Sequence, residues 1–270
     1  MALFFSRIAH HAGPGRTGPG PGVRVWFTLA ILPLLALGLD VALAASHELG
    51  FSRSVTPGLI QRYGAEFGRG SKARIGSWQA FIRTSAVLAQ AGNGTERPML
   101  TAAGAPPRQL RAGSELELLG SVNTFFNGVP YDSDLSHWGA DDYWATPAEM
   151  LASDGADCED FSIAKYFALK ELGVPIERLR ITYVKALRLN QAHMVLAYYP
   201  APDAVPLILD SLEASVRPAT ERTDLVPVYS FNDEDLLIAR QNQPSARAGS
   251  PLQIRLWRGL LDKLEKELSY

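Results

Sequence analysis

Apolar residues recur at three- and four-residue spacing along much of the first two thirds of the chain, which is the period of an amphipathic helix. Segments 57–67, 75–90 and 114–126 carry it, with Trp78, Phe81 and Ile82 in the second. Residues 91–113 interrupt the pattern with Gly92, Gly94, Pro98, Gly104, Pro106, Pro107 and Gly113, the composition of a surface loop. An irregular stretch rich in Asp and Trp follows over 128–145. Thr146-Pro147-Ala148-Glu149 then reads as a capping box with proline in the first helical position, and Gly155 ends that short helix. The next helix opens at Asp157 or Cys158 and runs to Leu172, where Gly173 and Pro175 stop it. Its apolar residues leave a narrow polar stripe at Ser162 and Lys165, so it is expected to be buried on its other sides.

From residue 179 the period shortens to that of strands. Residues 179–184, 192–199 and 206–210 are the candidates, and Pro200-Ala201-Pro202-Asp203 is a turn by composition. A hairpin centred on Ala201-Pro202 sets His193 directly opposite Asp210, within hydrogen-bonding reach across the strands. Residues 251–268 place Trp257, Leu260, Leu261, Leu264 and Leu268 on one helical face, suited to docking on the core or on a partner. The expected architecture is α+β: a helical lobe over 46–175, an antiparallel β lobe over 176–245, and a C-terminal amphipathic helix within 246–270.

Residues 1–45 are set apart from this fold. Arg7, Arg16 and Arg24 precede the apolar run Val25 to Leu39, and Ala42-Leu43-Ala44 supplies an A-x-A cleavage site, so the segment reads as a secretory signal peptide. An uncleaved anchor is the alternative, but Pro33 interrupts the run, which is shorter than the ~20 residues that span a bilayer. Within the leader, Gly13-x-Gly15-x-x-Gly18 matches a dinucleotide-binding pattern in letters only, since Pro14 and Pro19 interleave it and no strand precedes it.

The 270 residues are 47% hydrophobic and 20% charged, a globular composition that excludes disordered, collagenous and disulfide-scaffold proteins. Net charge is −2, and loss of three Arg and one Asp with the leader leaves 23 basic and 27 acidic residues, so nucleic-acid binding has no electrostatic basis. No G-x-S-x-G, P-loop or H-E-x-x-H pattern is present.

Cys158 is the only cysteine. In an exported chain it has no internal disulfide partner, and in the first turn of a helix the backbone N–H groups and the helix dipole favour its thiolate. Of five His, His10 and His11 leave with the leader and His47 lies beside the cleavage site, so His137 and His193 remain as candidate bases. Cys158, His193 and Asp210 form a candidate set of nucleophile, general base and orienting carboxylate; an ordinary polar cross-strand pair is the plainer reading of the latter two. Asp157, Glu159 and Asp160 oppose ionisation of the thiol. Two explanations stay open for them: stabilisation of the helix N-terminus, or a bound hard cation such as Ca²⁺, with Asp132, Asp134, Asp141 and Asp142 as further oxygen donors.

The blocks Tyr131-Asp132-Ser133-Asp134, Asp142-Tyr143-Trp144-Ala145-Thr146-Pro147, Asp157-Cys158-Glu159-Asp160-Phe161, Asn190-Gln191-Ala192-His193-Met194-Val195 and Leu209-Asp210-Ser211-Leu212 resemble the bacterial transglutaminase-like cysteine proteinases. The resemblance spans residues 50–240. It implies a papain/transglutaminase-like fold with a central Cys-bearing helix, Cys158 as nucleophile, His193 as base and Asp210 as its orienter. It also implies calcium dependence, with Asp157, Glu159 and Asp160 holding the ion. The implied substrate is the N-terminal region of a large cell-surface adhesin, cut within a di-alanine motif in the periplasm. The implied partner is an inner-membrane cyclic di-GMP receptor that sequesters the protease through its periplasmic domain, coupling it to biofilm attachment. A transglutaminase-type acyltransferase and a non-catalytic binding module of the same fold are the alternatives.

Overall fold

The computed structural model describes residues 57–91, 112–240 and 243–269. The expected signal peptide and nearly all of the expected 91–113 loop lie outside the described residues. Helices α1 (Pro57–Glu66), α2 (Arg69–Ala91) and α3 (Ala112–Asn127) are those that the apolar period predicts, although α2 starts earlier than expected. Gly68, in the left-handed region at φ 84°, divides α1 from α2. Trp78 and Phe81 on α2 interlock with Phe125 and Phe126 on α3, with ring centroids 5.0–5.3 Å apart.

A one-turn helix, α4 (Asp134–His137), lies within the stretch read as irregular, and α5 (Pro147–Ser153) follows. The capping box of α5 forms in both directions: Glu149 N–H donates to Thr146 Oγ1 at 3.1 Å and Thr146 N–H to Glu149 Oε2 at 2.8 Å. Asp154, at φ 64°, takes the left-handed cap in place of Gly155. Gly155 serves a close approach instead, because a Cβ there would meet the His137 ring at 2.5 Å.

Helix α6 (Cys158–Glu171) is the hub of the fold. It packs on β1 and β2 on one side and on α3 and α5 on the other. The polar stripe expected to face solvent is buried: Ser162 is 2% exposed and Lys165 0%. Its residues thus serve two layers at once, whereas an amphipathic pattern presumes one wet face.

Among the described residues seven strands, β1 (Leu179–Ala186), β2 (Gln191–Tyr198), β3 (Leu207–Leu209), β4 (Arg217–Pro218), β5 (Leu225–Phe231), β6 (Leu236–Arg240) and β7 (Gln243–Gly249), form one antiparallel sheet in the order β4-β3-β2-β1-β5-β6-β7. One face, with Leu179, Ile181, Met194, Leu196, Tyr198, Leu209 and Phe231, joins the helical core. The other carries a smaller cluster of Val184, Val195, Ala197 and Ile208. β7 carries the sheet to Gly249, past residue 245 where the β lobe was expected to end, and α7 (Arg255–Leu268) closes the chain. Among the described residues no helix is long and apolar enough to cross a membrane.

The amphipathic face of α7 docks on the core, burying Trp257 against Tyr166, Phe167 and Phe231. Glu267 goes in with it. Its Oε1 accepts from Tyr63 Oη and from Thr146 Oγ1, each at 2.6 Å, and its Oε2 is buried without a partner among the described residues. Burial, reinforced by Glu149, pushes the Glu267 carboxyl up to about 7 against those hydrogen bonds. Between its ordinary value near 4.5 and about 7 the folded state holds a proton that the unfolded state has released, so stability falls as pH rises through that window. Glu267→Gln keeps the acceptor oxygen and removes the charge. It is expected to gain about 1–3 kcal/mol over the parent at pH 8, with little difference at pH 4.5, in paired thermal or urea denaturation series.

Candidate active site

The N-terminus of α6 is held by the segments that precede it. A parallel bridge joins Tyr131 to Ala156, with Asp132 N–H donating to Ala156 O at 2.9 Å and Ala156 N–H to Pro130 O at 3.2 Å. Asp160 receives Ala145 N–H at 2.7 Å on Oδ1 and Asp157 N–H at 3.5 Å on Oδ2. The first turn of the helix is therefore fixed on both sides, and it presents Cys158, half-buried, as its first residue.

Two hydrogen bonds reach the thiol. Sγ donates to Glu159 Oε2 at 3.0 Å, and the backbone N–H of Met194 donates to Sγ. Burial first, then the charges of Glu159 and Asp157, push the thiol far up, with the Met194 N–H as the opposing influence. Met194 is free to serve because β3 pairs with β2 only over Leu196 to Tyr198 and leaves the start of β2 without that neighbour. His193 is the residue before Met194 on β2, so the strand position next to the one that meets the thiol carries the imidazole.

His193 Nε2 lies 2.8 Å from Asp210 Oδ1, with both side chains buried. The register that brings them together is not the one expected. Leu196 pairs with Leu209 and Tyr198 with Leu207, so Asp210 continues the ladder opposite Val195 and meets His193 diagonally. The turn explains the shift: Ala204 N–H closes on Ala201 O at 3.0 Å, centring it on Pro202-Asp203. Proline is favoured at the second position of a type I turn and disfavoured at the third, where the expected register would put Pro202. A slip of two residues keeps every side chain on its face, so the His193–Asp210 pair survives it.

Asp210 is held from every side. Leu212 N–H also donates to Oδ1, at 3.0 Å, Arg222 Nη2 to Oδ2 at 2.8 Å, and Asn127 Nδ2 to the main-chain carbonyl at 2.9 Å. Asn123 Nδ2 secures the loop just beyond, on Glu213 O and Ala214 O at 3.0 and 3.1 Å. Burial would raise the Asp210 carboxyl, but the hydrogen bond and charge of His193, with help from Leu212 N–H and Arg222, hold it well below the usual carboxylate range. Asn123, Asn127 and Arg222 are not among the residues that the sequence singles out, and Lys165 is read there only as part of a polar stripe. The one available signal was the pair Asn123 and Asn127, four apart and so on one face of the helical segment.

His137, the other candidate base, ends α4 with Nδ1 3.3 Å from Asp132 Oδ2 and its ring edge-on to Trp138, and so is tied to the segment before α5. Trp144 is buried, stacked on Phe231.

The carboxylates gather beside the thiol. Oxygen atoms of Asp134, Asp157 and Asp160 lie within 4.8 Å of one another, as do those of Asp134, Asp142 and Glu159. Asp132 is drawn off to His137, and Asp141 joins no such group among the described residues. Burial, then repulsion from Glu159, pushes Asp157 up to about 8, and burial pushes Asp134 up to about 6. Asp134 Oδ1 and Asp157 Oδ1 are buried without a partner among the described residues. Crowded, partly orphaned carboxylate oxygens are the donor set of a hard divalent cation, so the residues present fit Ca²⁺.

A thiol at the start of the central helix, and a strand-borne imidazole bound to a carboxylate, on an α+β fold of this topology, are the parts of a cysteine protease of the papain and transglutaminase type. The chain belongs to the bacterial transglutaminase-like cysteine proteinases (BTLCP), whose family model matches residues 99–243. It is similar to solved structures of LapG from Legionella pneumophila. The EGTA-treated form is 36% identical over 76% of this chain and 95% of its own, with a TM-score of 0.58. The calcium-bound form is 38% identical over 76% and 97%, with a TM-score of 0.57. No curated protein matches the chain.

Beneath the site, Lys165 Nζ is buried with no hydrogen-bond partner among the described residues, 5.8 Å from the centre of the Phe161 ring. Burial pushes its ammonium down to about 7, opposed by the charge of Asp210. Between about 7 and 10.5 the unfolded state binds the proton that the folded state has lost, so stability contributed at this position rises with pH. Lys165→Met is expected to raise the melting temperature at pH 6 by several degrees, and the advantage to shrink toward pH 10; equal gains at both pH values would contradict this account.

Proposed function

We propose that this protein is a calcium-dependent periplasmic endopeptidase that cuts the N-terminal region of a large cell-surface adhesin within a di-alanine motif. In the same reading, the periplasmic domain of an inner-membrane cyclic di-GMP receptor sequesters it, and so governs biofilm attachment. The observation that carries the catalytic part is the placement of Met194 N–H on the Cys158 thiol while the preceding residue, His193, is bound through Nε2 to Asp210. The bond to Asp210 commits Nε2 and leaves Nδ1 as the ring nitrogen for proton transfer. Support for calcium comes from the carboxylate cluster and from the calcium-bound neighbour. The adhesin, the receptor and the compartment rest on resemblance to the family and on the leader sequence.

The chemistry assigned to these residues is acyl transfer to water. The Cys158 thiolate attacks the scissile carbonyl carbon, and the backbone N–H of Cys158 at the helix start receives the developing oxyanion. His193 gives a proton to the leaving amine as the C–N bond breaks and a thioester forms. A water molecule, deprotonated by His193, then attacks the thioester; the acid product leaves and the thiol is restored. Asp134, Asp157, Glu159 and Asp160 are the residues that would hold calcium, which when bound supplies the positive charge that offsets these carboxylates beside the thiol.

The test is incubation of the leader-free protein with the N-terminal fragment of a candidate adhesin, in calcium or in EGTA, with and without a primary amine. Two fragments are expected in calcium and none in EGTA or with Cys158→Ala, and His193→Ala should lower the rate by ~10²–10⁴. Cleavage that persists in Cys158→Ala overturns the reading, and an amine-linked product in place of hydrolysis would favour the acyltransferase.

A further inference from the structure

Arg222 follows the short 3-10 helix Ala219–Glu221 beyond β4, and its N–H closes that turn on Ala219 O at 3.0 Å. Its side chain turns inward and is 8% exposed. The guanidinium spans two carboxylates: Nη2 donates to Asp210 Oδ2 at 2.8 Å, and Nε and Nη2 donate to Asp224 Oδ1 and Oδ2, each at 3.1 Å. Nη1 is buried and unpartnered among the described residues. A buried ion pair stabilises a fold little more than apolar residues of the same volume, so stability alone is a weak reason for an arginine here.

We propose that Arg222 is a positioning residue of the catalytic set, which anchors one oxygen of Asp210 so that the other stays fixed on His193 Nε2. The inference rests on reading Cys158, His193 and Asp210 as catalytic. A carboxylate bound through one oxygen can rotate about Cβ–Cγ and exchange its oxygens; bound through both, it cannot. Asp210 Oδ1 serves His193 and Leu212 N–H, so the lock must come from Oδ2, and Arg222 is the residue on that atom. Asp224, bidentate on the far side, holds the guanidinium in turn, so the chain of fixed groups runs Asp224, Arg222, Asp210, His193. The other charged group bearing on Asp210 is Lys165 from α6, which makes no hydrogen bond to it and so fixes no oxygen. An ammonium at position 222 would keep the charge but could not reproduce the planar fork.

The Nε2–H proton of His193 reports the lock directly. In leader-free protein with ¹⁵N-labelled histidine, assigned by its loss in His193→Gln, this proton should exchange slowly with solvent. Arg222→Gln, checked for folding by circular dichroism and thermal melting, is expected to speed its exchange by about tenfold or more. Arg222→Lys should fall between the two. Because Cys158 is the sole cysteine, its alkylation by iodoacetamide at pH 7.5 in calcium supplies a second readout that needs no substrate, and Arg222→Gln should slow it several-fold. A lower melting temperature with both readouts unchanged would show a merely structural role and overturn the proposal. Should Arg222→Gln not fold, Arg222→Lys decides, and wild-type exchange in that variant overturns it. If His193→Gln and Asp210→Ala leave alkylation unchanged, the catalytic reading itself fails; if they slow it and Arg222→Gln does not, only the role of Arg222 is lost.

Discussion

Helix α6 is buried on both flanks, and the position of the thiol follows from that burial. Its apolar residues pack on the sheet through β1 and β2 and on the helical layer through α3 and α5. A helix held in this way can neither slide nor rotate without opening cavities on two sides, which interiors packed at crystal-like density resist. Its first turn is then tied to the preceding chain through Asp160 and the Tyr131–Ala156 bridge. Cys158 reaches the open start of β2 because both its axial position and its rotation are decided by the core.

Around that thiol the charges are segregated. Carboxylates crowd the helix start, whereas the cations Arg222 and Lys165 lie on the side of Asp210. Desolvation dominates both regions, and it acts in opposite directions: it favours protonated acids beside the cysteine and a neutral lysine beneath. Asp210 escapes the first tendency only because His193, Leu212 N–H and Arg222 converge on its two oxygens. The same physical term thus yields an acidic cluster suited to a divalent ion on one side and a firmly ionised carboxylate on the other.

Much of this was legible along the chain, and the exceptions have local causes. The capping box at Thr146, the stop at Gly173 and the strands expected at 179–184 and 192–199, found at 179–186 and 191–198, follow from rules that involve neighbours within a few residues. Register was harder: one misplaced turn centre moved the β2–β3 pairing by two, and the His193–Asp210 contact was recovered only because the period of a strand is also two. Strands β4 to β7 have weaker signals, being short, at sheet edges, or interrupted by bulges. Ser162 and Lys165 look like a solvent stripe until the second layer is seen to cover them. Arg222 had no signal at all, since one arginine in a polar loop is unremarkable until the fold turns it inward.

The sequence by itself determined the helical and strand halves, the sole cysteine at a helix start, the acids that flank it, and the pairing of one histidine with one aspartate. These are properties of local spacing, and each depends on side chains that are near one another along the chain or across one tight hairpin. Only the tertiary structure decided that Met194 N–H meets the thiol, that Asp134 and Asp142 rather than Asp132 and Asp141 join the acidic cluster, and that Arg222 and Asn127 hold Asp210. Those contacts join segments far apart in sequence, and they exist because α6 must be covered on both sides: burying it draws the flanking loops together and leaves their polar groups no water to turn to.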